Sequence, residues 1–321
     1  VLVILIYIKT SFVAFLLFNC SNVRLFVCSI GNQKDKKNMK RDICSMIKKL
    51  ARPLRHLNAE DIYKIFSDEN YRQYFLLKLK LTGRPSLTQC YVNLSGLNLS
   101  IADADSFLSM YKEIFVNKVY AFHANSAAPN ILDLGANIGM SVLFFKLCYP
   151  QARITAFEAE PTLYGHLKRN IHGNGYTDVE LINKAAWYEN TTLKFRPDWF
   201  GSGGITFGDD TQGTIEVEAV NITELLKTNR FDLIKMDIEG AEEFILPACK
   251  DYLQDVRFII MEFHPDIGQK DRLNVVINAL VDANFSLHIH CADEGCKDPF
   301  FLSKEYTDCD KPLYIFGWHG C

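Results

Sequence analysis

The sequence predicts a doubly wound α/β domain, and three observations lead there. From Asn130 onward short apolar runs alternate with helical stretches. The runs are nearly continuous in apolar residues, as strands covered on both faces require. A glycine turn follows the first of them directly, at "ILDLGANIG", residues 131–139. At 321 residues, 48% hydrophobic and 23% charged, the chain can hold one large globular domain with an extension.

The leader comes first in the chain. "VLVILIYIKTSFVAFLLF" is almost wholly apolar, is interrupted by Lys9, and is followed by the basic run "KDKKNMKR" at 34–41. Two readings stand open: a signal anchor, or an extension upstream of a start at Met39. Residues 1–56 carry eleven Lys and Arg against Asp35 and Asp42, whereas the rest carries 24 basic and 36 acidic residues. A basic leader of that kind is a solvated tail or a weak contact to an anionic membrane. The formal net charge of -3 predicts no general affinity for nucleic acid. None of the ten cysteines forms a CxxC pair, so reduced thiols and a cytoplasmic location are expected.

Past residue 40, "RDICSMIKKL" and "NAEDIYKIFSDENYRQYFLLKLKL" have helical periodicity, with Asn58 and Asp61 placed to cap the second. "CYVNLSGLNLSIAD" alternates around Ser95-Gly96 and predicts a hairpin. "DSFLSMYKEIFVNKVYAF" predicts an amphipathic helix. The strands that follow are "ILDLG", "RITAFEA", "VELINKAAW", "FDLIKMD" and "RFIIMEFH". The helices between them are "GMSVLFFKLCY", "PTLYGHLKRNIHG", "GAEEFILPACKDYL" and "DRLNVVINALVDAN". Between the third and fourth strands, "GITFGDDTQGTIEVEAV" predicts a hairpin beside a mobile glycine loop, residues 201–204. "FSLHIHC" and "PLYIFGW" close the chain without a helix between them, which makes the last strand antiparallel.

Ligands of such a sheet bind beyond the carboxyl ends of its strands. Gly135 and Gly139 leave the first strand with G-x-x-x-G spacing, and Asn137 stands where a dinucleotide loop needs its second glycine. That argues against a tightly cradled pyrophosphate but not against S-adenosylmethionine (SAM), which has none. Asp133 is placed to accept from the ammonium group of SAM. Glu158, 25 residues further on, ends the second strand and is placed to accept from ribose hydroxyls.

"FDLIKMDIEGAE" at 231–242, taken with "DLGANIG", "FEAEP", "YKEIFVNKVY" and "IIMEFHP", resembles the FkbM family of SAM-dependent methyltransferases. The similarity covers about residues 85–320. It implies a class I methyltransferase (Rossmann-like) fold: a doubly wound seven-stranded sheet with an N-terminal helical and hairpin extension. It also implies O-methylation of a sugar, polysaccharide precursor or other small natural product. The chain then divides into a leader at 1–40, the extension at 41–104 and a SAM-dependent methyltransferase domain at 105–321. Two departures are "FEAEP", where Phe-Glu-Pro is expected, and the loose Gly/Ser segment "GSGGITFG".

The expected cofactor contacts are Asp133, Gly135, Asn137, Gly139, Glu158, Ala185 and Asp237. Methyl transfer needs an acceptor held in line and a group to take its proton. His264, oriented by Glu262 two residues before it on one strand face, suits that role. Asp237 and Glu242 are the other catalytic candidates, crowded with Glu239 so that one carboxyl titrates high. Glu239 and Glu242 equally suit a helix N-terminus. Oxygen ligands from Asp237, Glu239 and Glu262 would suit Mg²⁺, but no metal is called for. His288 and His290 share a face of a late strand and are read as structural. An NAD(P)-dependent oxidoreductase and a non-catalytic SAM-binding module are the alternatives; Asn137 opposes the first. The acceptor's identity and the oligomeric state are not legible.

Overall fold

A computed structural model of the chain describes residues 2–7, 12–19, 22–29, 57–198, 203–206, 212–264, 271–291 and 312–320, the first three segments as backbone alone. It divides into two compact units, residues 1–84 and 85–321. In the first unit β1 (Leu2–Tyr7), β2 (Phe12–Asn19) and β3 (Asn22–Ser29) form an antiparallel three-stranded sheet. Among the described residues no helix is long and apolar enough to cross a membrane. The basic run at 34–41 and the first expected helix at 41–50 lie outside the described residues.

The long helical stretch from Asn58 is two helices, α1 (Ala59–Ser67) and α2 (Glu69–Leu81). Asn58 and Asp61 close a capping box: each side chain accepts from the other's backbone N–H, at 2.8 and 3.0 Å. The break falls at Asp68, whose extended backbone and side chain, accepting from Tyr71 N–H, cap α2. A short polar side chain that competes for backbone donors explains why periodicity alone ran the two together.

The second unit opens with the hairpin β4 (Cys90–Leu94) and β5 (Leu97–Ile101), as expected. Helix α3 (Ala104–Tyr111) runs on into a π-helical turn at Lys112–Val116 and stops there, short of the expected end. The doubly wound core follows: β6 (Asn130–Leu134), α4 (Met140–Cys148), β7 (Arg153–Phe157), α5 (Pro161–His172) and β8 (Glu180–Ile182). "VELINKAAW" is not one strand. The chain leaves the main sheet after β8, and β9 (Ala185–Trp187) joins a second sheet with β10 (Thr191–Arg196), β11 (Gly204–Ile205) and β12 (Ile215–Asn221). Asn183 fastens the break, its amide donating to the Glu158 and Ala159 carbonyls. The expected hairpin of residues 204–220 is also corrected. Both β11 and β12 pair with β10, one on each edge, so they do not pair with each other. Residues 199–202 and 207–211 lie outside the described residues.

The chain ends with α6 (Ile222–Thr228), β13 (Leu233–Met236), α7 (Glu242–Cys249), β14 (Phe258–Phe263), α8 (Asp271–Asp282), β15 (Ser286–Cys291) and β16 (Leu313–Trp318). The main sheet has seven strands in the order β8-β7-β6-β13-β14-β16-β15. Only β16 runs antiparallel to its neighbours. This is the class I methyltransferase topology. Its strand order reverses between β6 and β13, and Leu132, Leu134, Ile234, Met236, Ile259 and Met261 pack there at 2% exposure or less. The reversal opens a crevice at the carboxyl ends of β6 and β13.

Candidate active site

The turn after β6 is fixed by sterics. Gly135, Asn137 and Gly139 all have positive φ, at 82°, 50° and 92°. A Cβ on Gly135 would lie 1.8 Å from the Asp237 carbonyl oxygen, so only glycine lets β6 and β13 approach here. One on Gly139 would strike Leu167 at 2.8 Å. Asn137 tolerates its backbone because its own Oδ1 accepts from Ile138 N–H at 2.7 Å. Asn137 N–H donates to Glu158 Oε2 at 2.8 Å, and Glu160 N–H donates to Glu158 Oε1 at 2.9 Å. Burial pushes the Glu158 carboxyl up to about 7 against those two donors.

One cavity is lined by Gly135, Asn137, Glu158, Ala185, Asp237 and Glu239, with Phe157, Ala159, Leu163 and Ala186 as apolar wall. Five of the seven expected cofactor contacts therefore face one space. Asp133 and Gly139 do not. Asp133 is fully buried behind the turn, where it accepts from Ser141 Oγ at 2.5 Å and lies 3.4 Å from Lys235 Nζ. Gly139 begins α4.

Lys235 was not anticipated. It is 2% exposed and donates to the Gly135 carbonyl at 2.5 Å. Its ammonium lies 3.4 Å from both Asp133 and Asp237 and 5.6 Å from the centre of the Tyr120 ring. Burial works against its charge, but Asp133, Asp237 and Glu262 outweigh that and hold its pKa above the ordinary lysine range. The signal was present as the one charge inside the buried run "LIKM".

A second cavity adjoins the first on the side of the π-helical turn. Glu113, Tyr120, Ser141, Lys235 and Glu262 line it together with Gly135, Asn137, Asp237 and Glu239. Glu113 was also missed, because nothing in a single sequence marks a π-turn. Burial, with Glu262 and Asp237 adding to it, pushes the Glu113 carboxyl up to about 8.

His264 follows β14 and lines neither cavity itself, but stands beside Glu239 and Glu262, which do. Its Nδ1 lies 3.4 Å from Glu239 Oε2 and its Nε2 3.6 Å from Glu262 Oε1. Burial opposes its charge, yet Glu262, Glu239 and Asp237 raise its pKa to about 9. Burial also pushes Glu239 up to about 8, with His264 acting the other way. Glu239 reaches this position through a left-handed backbone, φ 54°. Glu242 is fully buried at the start of α7, accepting from Ile238 N–H at 3.3 Å, and burial raises its pKa to about 7. It lines neither cavity. Asp237, Glu239 and His264 bring one ligand atom each to within 4.8 Å of one another, a spacing that would also admit a divalent cation.

The apolar wall, the acid beside it and the glycine-forced approach fit an adenosyl group. No dinucleotide pyrophosphate has a cradle at Asn137. Residues 133–287 match the model of the methyltransferase FkbM domain. Methyltransferase sdnD of Sordaria araneosa is 27% identical over 204 residues, which cover 52% of this chain and 79% of that protein. The 31-O-demethyl-FK506 methyltransferase FkbM of Streptomyces tacrolimicus is 25% identical over 206 residues, 53% of this chain and 79% of its own. Hexuronic acid methyltransferase AglP of Haloferax volcanii is 27% identical over 160 residues, 49% and 63% respectively.

Proposed function

We propose, from the premise that the chain is a SAM-dependent methyltransferase carrying an FkbM domain, that it methylates a hydroxyl of a sugar, a polysaccharide precursor or another small natural product. One observation carries this reading: an adenosine-type cavity and a cluster of proton-holding groups meet across the Gly135–Asn137 turn. Two of the similar proteins methylate a hexuronic acid and 31-O-demethyl-FK506. From them we carry over only the acceptor atom, oxygen.

SAM, when bound, supplies a methyl carbon made electrophilic by its sulfonium. Glu158 accepts from the ribose hydroxyls, and Phe157, Ala159, Leu163 and Ala186 enclose the adenine. Asp133 acts through Ser141 and Lys235, holding the turn and the donor end in place. The acceptor hydroxyl gives its proton to the His264–Glu239 pair as its oxygen takes the methyl group. Glu262 orients the imidazole from its Nε2 side.

A base must be unprotonated before it acts, and a pKa near 9 leaves His264 only about 1% deprotonated at pH 7. The turnover rate should therefore rise through pH 8 to 9. Transfer from labelled SAM to a panel of sugars tests the reading. His264→Ala should lower kcat about 10²–10⁴-fold, flatten the alkaline rise and leave SAM affinity unchanged. Full activity in that variant would move the role to Asp237 or Glu242.

A further inference from the structure

A third cleft, of about 870 Å³, opens between the π-helical turn and the last two strands. Its floor is a platform of four rings. His288 and His290 on β15 stand directly across from Phe316 and Tyr314 on β16. The His290 and Phe316 rings stack at 5.4 Å and 12°, and His288 lies 5.4 Å from His290. Both histidines are exposed and Tyr314 is buried, so the platform has a firm base and an accessible face. Burial and the neighbouring His288 lower the His290 pKa, which leaves it a neutral hydrogen-bonding group near pH 7.

The opposite wall carries Lys112 and Lys118, both exposed and without an ion pair among the described residues. The inner end is formed by Glu113 and Glu262, which also line the cavity beside Asp237 and Glu239. The cleft thus adjoins the cavity beside Asp237 and Glu239 through two shared lining residues, and two lysines stand elsewhere along it.

We propose that this cleft is the acceptor subsite and that it takes a sugar ring bearing a carboxylate. The apolar C–H face of the ring lies on the His290–Phe316 stack, and the imidazoles exchange hydrogen bonds with its hydroxyls. The carboxylate turns to Lys112 and Lys118, the two lysines that line the cleft. Held by the lysines, the ring turns a neutral hydroxyl, not the acid, toward Glu262 and the His264 beside it. The lysines therefore select both the ligand and its direction.

The inference rests on the methyltransferase reading, and the experiment separates the two. Calorimetry on the full chain with saturating SAM would compare methyl β-glucuronoside with methyl β-glucoside. The same titrations would follow for the Lys112→Gln/Lys118→Gln double variant and for Phe316→Ala. The uronoside should bind the unmutated chain at least about tenfold more tightly, and the double variant should lose that preference while SAM affinity stays the same. Phe316→Ala should weaken both sugars. Equal affinity for the two sugars, or a preference that survives in the double variant, overturns the inference and leaves the methyltransferase reading intact. Failure to bind SAM at all overturns the premise, and the inference with it.

Discussion

Lys235 shows what a single buried charge does here. Its ammonium holds Asp133 on β6 and Asp237 after β13 at 3.4 Å each, and it ties the Gly135 carbonyl between them. Removing one partner of a buried pair leaves the other's charge uncompensated, which costs about 3–5 kcal/mol. Lys235→Met should lose about that much in denaturant unfolding, and adding Asp133→Asn should recover part of it. Additive losses would show that the two groups do not interact. Asp133, Glu158, Asp237 and His264 were legible because strand ends are where such a sheet binds ligands. Lys235, Ser141 and Tyr120 were not, since their importance depends on which side chains meet behind the turn. Asp133 itself illustrates the limit. Its position was foreseen, but its oxygens serve Ser141 and Lys235 and do not line the cavity.

At the scale of elements, the strand segments and the antiparallel last strand followed from apolar runs and their separators, and the main sheet has the seven strands that the family resemblance implies. The misreadings share one physical cause: the continuation of a periodic pattern says nothing about pairing partners. "VELINKAAW" keeps its β-propensity through Asn183, yet changes sheets there. Residues 204–205 and 215–221 both look like hairpin strands, yet β10 takes both. Helix α3 keeps its amphipathic pattern past Lys112 while its hydrogen bonding changes to π, which brings Glu113 to both inner clefts. Caps were more legible, because their chemistry is local. Asn58→Ala should cost about 1 kcal/mol in the stability of the unit holding α1. Circular dichroism during thermal unfolding would read it, and an unchanged midpoint would mean that the capping box is not formed in solution.

For the molecule as a whole, the second unit holds two cavities that share the Gly135–Asn137 turn and an open cleft toward the last strands that shares Glu113 and Glu262 with one of them. Its charge is suited to that work. Asp237, Glu239 and Glu262 crowd one cavity, and Lys235 offsets the repulsion between Asp237 and Glu262. The central claim is that the Asn137 turn and Glu158 hold SAM and not a dinucleotide. Calorimetric titration of the chain and of Glu158→Gln with SAM and with NAD tests it most directly. SAM should bind the unmutated chain, bind the variant about ten- to a hundredfold more weakly, and NAD should give no heat with either. Binding of NAD in place of SAM would contradict the account.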